Sequence, residues 1–385
     1  MKVLMVTGVY TPEINGAVLQ CDTLIKALAD RIGFEVLTGT QDKNLVGREA
    51  INGIQVTRVY QRRLSLLSKL VSTSVFISTF VRRCCRVDIV HIHGFSLRNA
   101  LIIFLARCML RPVILKMSSY GQDDPLSVRN KSRFLWIFYE MASAYIAIGP
   151  AFLRACEVGG LKSENYYFIP NGVNTEKFAP LSVTEKEQLR SFHGLGDAGM
   201  IVLFVGHFST EKRPDTLYHA WASLIESGVR STIIFIGKTR TGYEVDQNLS
   251  AAIEADAKSR GIWSKVRMIE QTSDISNFMK MADIFVHPST REGMPNVVLE
   301  SMASGLPCIV TDLPGVTDWL IHHGETGFLF PRHDVEALRR KLAILIGSEC
   351  ERIRLGANAR QWVLENHGIK RVSLRTLAVY EKLSH

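Results

Sequence analysis

The 385-residue sequence predicts an α/β protein built from two successive doubly wound domains facing a central cleft. Three observations carry that reading. Short β-branched apolar runs alternate with amphipathic segments, the pattern of parallel strands covered by helices on both faces. The length exceeds what one core sustains, since single cores stop growing near about 250–300 residues. A turn-rich stretch at 169–180, IPNGVNTEKFAP, supplies a joint through Pro170, Asn171, Gly172 and Pro180.

The first domain, 1–170, takes its strands from KVLMVT, FEVLT, IQVTRV, VDIVHIH, PVILKM, AYIAIG and YYFIP. The second, 171–368, takes them from GMIVLFVG, STIIFIG, KVRMIE, ADIFVHP and PCIVTD. Amphipathic intervals between the runs read as covering helices. A last helical segment at about 369–385 is expected to pack back on the first domain. Ligands of doubly wound sheets bind beyond the carboxyl ends of the strands, so the loops after each run are where a site belongs. Neither a GxGxxG after the first strand nor a GxxxxGK[ST] is present to place phosphates in the usual ways.

A hydrophobic share of 46% and a charged share of 22% are globular values and exclude a disordered or fibrous chain. Seven scattered cysteines without a CxxC pair point to reduced thiols. No run reaches the ~18–20 apolar residues of a membrane span, and MKVLMVTGVY lacks the features of a signal peptide. The expected location is cytoplasmic, with contact at the inner face of the membrane as an alternative. The net charge of +9 is unevenly placed. Residues 1–180 hold 22 Lys/Arg and 13 Asp/Glu, and 181–385 hold 24 of each, so all the excess lies in the first half.

The most informative stretch is REGMPNVVLESMASGLP, 291–307. Gly293 lets backbone approach a ligand, Pro295 suits a first helical turn, and a helix start offers unpaired N–H groups with the positive end of the dipole. Glu292 falls in the loop and Glu300 near the second turn of the helix. Alone, the pair could equally be a dipole partner and a solvated helix residue.

In its context, the stretch resembles the retaining glycosyltransferases of family 4, which have the GT-B fold of two Rossmann-like domains. Their E-x7-E motif followed by A-x-G-x-P is matched by Glu292, Glu300, Ala303, Gly305 and Pro307. YTPEINGA, DIVHIHG, IPNGVN, FVGHFSTEKRPDTL and GETGFLF extend the resemblance over nearly the whole chain. It implies an acceptor-binding first domain and a second domain that binds a UDP- or GDP-type nucleotide sugar as co-substrate. No other cofactor and no metal are implied. Glu300 would hold the ribose hydroxyls, for which a carboxylate is suited. Glu292 would position the sugar and stabilise charge, with Gly293, Met294, Pro295, Asn296 and Val297 around it. Lys212, with Arg213 beside it, matches the diphosphate-binding position. Gly16 and Gly206 complete the donor side.

One position departs from the family. The usual Arg is His207, so either Lys212 and Arg213 carry the phosphate contact between them or activity requires a protonated His207.

On the first domain, His93 ends a strand where an imidazole could contact sugar or act as a base. Together with Lys116, Ser118, Gly121, Asp123 and Asn15 it makes up the candidate acceptor side, and with Glu292 and Lys212 the candidate catalytic set. Relatives often carry His where Ser118 and Ser119 stand. His91 and His93 would project to one side of their strand, but no zinc spacing accompanies them.

The segment 61–86, QRRLSLLSKLVSTSVFISTFVRRCCR, carries six Lys/Arg and no acid. It reads either as a helix that lies on anionic lipid or as a core-facing helix with a basic outer side. No nucleic-acid motif accompanies the charge. The expected function is transfer of a sugar to a glycan or lipid-linked acceptor. A nucleotide-sugar 2-epimerase, a phosphorylase and a silent sugar-nucleotide-binding module are the alternatives.

Overall fold

In the computed structural model, every residue is described except 14, 62–64, 240–244, 271, 273 and 385, together with the side chain of Leu66. The chain divides into two units, Met1–Gly172 with Ile369–His385, and Val173–Gly368.

Among the described residues, the first unit holds an eight-stranded sheet. Its strands are β1 (Lys2–Val6), β2 (Gly33–Thr40), β3 (Gly47–Ile51), β4 (Ile54–Tyr60), β5 (Ile89–His93), β6 (Val113–Lys116), β7 (Ala144–Ala147) and β8 (Tyr166–Phe168). They lie in the order β3-β4-β2-β1-β5-β6-β7-β8, and all pairs are parallel except β3 with β4. The central strands read as near-continuous apolar runs because both faces are covered. The covering helices are α1 (Gly16–Leu28), α2 (Leu66–Cys84), α3 (Leu97–Cys108), α4 (Pro125–Lys131), α5 (Arg133–Tyr139) and α6 (Pro150–Gly159).

The strand β3 is absent from the sequence reading. GREAI has no apolar alternation and is almost wholly exposed on the sheet edge. Its position is set by the turn, where Asn52 and Gly53 both take positive φ, the geometry that matches a tight hairpin to strand twist.

The C-terminal helix, Ile369–Ser384, belongs to this unit. Tyr380 Oη lies 2.6 Å from His91 Nδ1, and Lys382 donates to Tyr167 Oη at 2.8 Å. Gly172 packs against the start of the helix, where an added Cβ would meet Ile369 at 2.8 Å. Its amide and carbonyl are both held by the Gln20 side chain.

The described residues of the second unit form a six-stranded parallel sheet of β9 (Met200–Val205), β10 (Ser231–Ile236), β11 (Val266–Ile269), β12 (Ile284–His287), β13 (Cys308–Thr311) and β14 (Gly327–Phe330). The order β11-β10-β9-β12-β13-β14 reverses between β9 and β12. That reversal opens a crevice outside their carboxyl ends, the ligand position of such sheets. Helices α7 (Val183–Phe192), α8 (Pro214–Glu226), α9 (Gln247–Ser259), α10 (Ile275–Met281), α11 (Asn296–Ala303), α12 (Val335–Gly347) and α13 (Glu349–Asn366) cover it. A core around Phe204, Phe208, Trp221, Phe235 and Leu338 fixes β9, β10, α8 and α12 together. The rigid ends of β9 and β12 therefore present the loops that matter.

Candidate functional site

Two loops meet at the reversal in the second unit. After β9, Gly206 keeps the ladder by donating to Ile236 O, and its carbonyl lies so close to Gly237 that a Cβ there would sit 2.1 Å away. Only glycine fits at 237, where φ is +147°. The chain then turns on Ser209, whose hydroxyl accepts from Lys212 N and whose carbonyl accepts from Arg213 N. Arg213 takes a left-handed φ of 52° and leads into Pro214, the first residue of α8.

The loop after β12 is fastened to this turn by Thr290, whose amide and hydroxyl both donate to Glu211 O, and by the Arg291–Glu211 ion pair. The stitching delivers Glu292 to Lys212. Glu292 Oε1 accepts from Lys212 Nζ at 2.6 Å and lies 2.6 Å from His287 Nε2. Burial pushes the Glu292 carboxyl up, but the Lys212 ammonium and the His287 imidazole outweigh it and hold the group well below the usual carboxylate range. Glu292 is thus an anion at any physiological pH.

His287 is the residue that the sequence reading missed. It ends β12 in the run VHPS, is 2% exposed, and keeps its Nδ1 buried without a hydrogen-bond partner among the described residues. Its signal was a histidine closing a buried strand five residues before Glu292.

Beyond Glu292, Gly293, Met294, Pro295 and Asn296 are buried, and Val297 is half-buried. Pro295 occupies the N-cap of α11, one place earlier than a first-turn position, and no side chain caps the helix there. The first amides of a helix have no intrahelical acceptor, so this end suits an anion.

Glu300 lies in the second turn of α11. Its carboxyl makes no hydrogen bond or ion pair among the described residues, and burial pushes it up to about 7 against the opposing pull of Lys177. The rest of the motif is structural. Gly305 takes a φ of +74° just past α11, and Arg360 caps Ala303 O. Gly356 packs so tightly on Gly305 O that a Cβ would approach to 2.1 Å.

Arg213 is committed elsewhere. Its guanidinium donates to Asp215 Oδ2 at 2.7 Å and to Thr216 Oγ1 at 3.3 Å, within the first turn of α8. His207 lies half-buried at the head of the same loop.

In the first unit, Asn15 caps α1 by accepting from Val18 N at 2.9 Å, and Gly16 opens that helix. Asp123 is spent on its own loop. One carboxylate oxygen accepts from Ser118 N and Oγ and the other from Ser119 N, while Gly121 N donates to Asp124. Burial pushes the Asp123 carboxyl up to about 6 against these bonds. His93 and Lys116, opposite each other in the β5–β6 register, are both buried. His91 stacks on His93 at 4.6 Å.

Family models match most of the chain, "Glycosyltransferase Family 4" over 14–177 and "Glycosyl transferases group 1" over 185–362. The capsular polysaccharide biosynthesis glycosyltransferase CapM of Staphylococcus aureus is 26% identical over 58% of this chain and 57% of its own length. The UDP-Gal:α-D-GlcNAc-diphosphoundecaprenol α-1,3-galactosyltransferase of Escherichia coli is 29% identical over 53% of this chain and 51% of its own. The chain thus spans about half the length of these curated relatives. Among solved structures, Anabaena Alr3699/HepE in complex with UDP and glucose superimposes with a TM-score of 0.78 at 20% identity, covering 99% of this chain and 100% of that one. Sucrose-phosphate synthase from Thermosynechococcus elongatus does so with 0.80 at 18% identity, over 100% and 99%. Matched by two family models running from 14 to 362 and by fold over its whole length, the chain belongs to the family 4, group 1 glycosyltransferases of the GT-B fold.

Proposed function

We propose that this protein transfers a sugar from a nucleoside-diphosphate donor of the UDP or GDP type to an acceptor hydroxyl, with retention of anomeric configuration. The observation that carries the proposal is the placement of Lys212, Glu292, the α11 N-terminus and Glu300 in succession at the strand-order reversal of the second unit. This row of groups fits a donor read end to end. Glu300 accepts from the two ribose hydroxyls, the diphosphate lies at the helix start, and Glu292 takes the sugar.

Lys212 pairs with Glu292 and neutralises it. Donor binding is expected to draw the ammonium onto the diphosphate, where negative charge grows as the C1–O bond breaks. The freed Glu292 carboxylate then faces the positive charge that develops at C1. The acceptor oxygen forms the new C1–O bond on the face the diphosphate leaves, and the departing phosphate oxygen takes the acceptor proton. Arg213, held by Asp215, is left out of this scheme, so Lys212 is the principal cation.

The acceptor is proposed to be a glycan or lipid-linked sugar approached at a membrane surface. Two features support this. The Escherichia coli relative named above acts on a diphosphoundecaprenol substrate. The outer side of α2 exposes Leu67, Leu70, Val71 and Val75 beside Lys69, with Arg82 and Arg86 at its far end. That combination suits an anionic lipid interface. Arg62 and Arg63 of the same basic segment lie outside the described residues. No helix among the described residues is long and apolar enough to cross a membrane.

The test is incubation with a panel of UDP- and GDP-sugars with and without lipid-linked acceptors, following diphosphate release and the anomeric configuration of the product. One donor should react with retention. Inversion, or conversion of the donor to its 2-epimer with no acceptor present, would refute the proposal.

A further inference from the structure

The first unit keeps a buried cation that its own fold does not use. Lys116 closes β6 and is 8% exposed, yet no ion pair or hydrogen bond engages its ammonium among the described residues. The titratable groups whose charge would interact with it are Cys21 from α1 and His91 and His93 from β5. None of them offers a negative charge. Burial pushes the Cys21 thiol up and both imidazoles down, so each stays neutral. The acids of the next loop are occupied, Asp123 by Ser118 and Ser119 and Asp124 by Gly121 and Ser127. An ammonium stripped of most of its water without a counter-ion is costly, and an apolar residue at the end of a buried strand would avoid the cost.

A second group with unused capacity stands beside it. His93 is the register partner of Lys116, so both side chains project from the same face at the carboxyl edge of the sheet. His93 Nε2 is buried without a hydrogen-bond partner among the described residues. The two residues end β5 and β6, next to the β1–β5 boundary where the strand order of the first unit reverses. Ligands of doubly wound sheets bind at such a reversal.

We propose that Lys116 and His93 form an oxyanion-recognition pair, taking a phosphate or carboxylate group of the acceptor. The ammonium supplies charge and the neutral imidazole, with its proton on Nε2, a directed N–H. The word acceptor rests on the glycosyl-transfer reading above, whereas the anion site does not.

The experiment is a thermal-shift titration with inorganic phosphate and, separately, acetate, on the wild type and on Lys116→Met, Lys212→Met and His93→Phe. Lys116→Met should melt no lower than the wild type without anion, because it removes an uncompensated buried charge. The wild type and Lys212→Met should gain on the order of 3 °C at saturating anion. Lys116→Met and His93→Phe should lose most of that gain. A response to phosphate alone assigns a phosphorylated acceptor, and an equal response to acetate assigns a carboxylate. If Lys116→Met and His93→Phe keep the full gain, or if neither anion shifts the wild type, the proposal is overturned. It is likewise overturned if Lys116→Met melts well below the wild type, which marks a structural lysine. Should Lys116→Met not fold, His93→Phe decides by the same criterion. A wild type that gains with anion but turns over no nucleotide sugar, with the gain lost in Lys116→Met and His93→Phe, would leave this site standing while removing the transfer reading.

Discussion

Glu300→Gln separates what the unbound fold prefers from what the donor requires. The Glu300 carboxyl is pushed up to about 7 from an ordinary 4.5 by burial, with Lys177 opposing. Between those values the folded chain holds a proton that the unfolded chain has released. Stability therefore falls as pH rises through this window, by up to ~3 kcal/mol once the folded group has also ionised. Glu300→Gln removes that loss. Its denaturant midpoint should match the wild type near pH 4 and exceed it at pH 8. Binding should move the other way, because the ionised carboxylate accepts two ribose hydroxyls at ~1.5–3 kcal/mol for a charged hydrogen bond. With the nucleoside of the donor that reacts, uridine for a UDP-sugar, which carries no phosphate to titrate, the wild-type Kd measured by calorimetry should weaken about tenfold per pH unit below 7 and level off above it. The Gln variant should bind about 10–100-fold more weakly at pH 8, without that slope. A wild-type Kd that stays flat from pH 5.5 to 8, or a Gln variant that binds that nucleoside as the wild type does, would sink the ribose assignment.

Three further outcomes test the neighbouring groups. Lys212→Ala should lower turnover by about 10²–10³-fold through loss of charge stabilisation at the leaving diphosphate. It should also destabilise the unliganded protein, since Glu292 is left buried, and a Lys212→Ala/Glu292→Ala cycle should return a coupling of about 2–4 kcal/mol by chemical denaturation. His287 acts through Glu292, so His287→Ala should reduce kcat about tenfold with little change in donor KM, while His287→Gln restores most of it; equal losses in both would mark a packing role instead. Replacing Leu67, Leu70 and Val71 with Ser should abolish flotation with phosphatidylglycerol liposomes while leaving the melting temperature near wild type, and unchanged flotation would remove α2 from the membrane reading.

Much of the fold was legible because parallel strands buried on both faces announce themselves as apolar runs. KVLMV, IVHIH and MIVLFV needed no tertiary information. The hairpin strand β3 escaped because GREAI carries no buried face, although the Asn52-Gly53 turn that fixes it was in plain view. Motif spacing brought Glu292 and Glu300 to one helix start. The partner of Glu292 was harder to read, since Lys212 lies 80 residues away and is delivered by backbone bonds from Thr290 to Glu211. Arg213 illustrates the converse. Adjacent to Lys212 in sequence, it is turned into α8 by its left-handed backbone and held by Asp215. Sequence adjacency shows which residues share a loop, and only the backbone path decides which of them point together.

The charges at the strand ends differ in a way that bears on function. Glu292 is largely buried and paired with Lys212 and His287, so on the proposed transfer reading it exchanges partners when the donor binds. Glu300, half-buried, and Lys116, buried, have no hydrogen bond or ion pair to their charged groups among the described residues, and their ionisation is pushed toward neutrality, the carboxyl upward and the ammonium down to about 8. A fold under selection for stability alone would replace both, since apolar or amide side chains of similar size avoid the desolvation cost. Their position at the carboxyl ends of two separate doubly wound sheets, where ligands bind, makes that cost intelligible. On the two proposals above, each group is held in its charged form when a substrate supplies the missing partner, hydroxyls for Glu300 and an oxyanion for Lys116. The binding free energy of each contact is then reduced by what the ligand must spend on reionising it, and that reduction shrinks as pH moves above 7 for Glu300 and below 8 for Lys116. The proposed donor and acceptor contacts therefore respond to pH in opposite senses, the first strengthening as pH rises and the second as it falls.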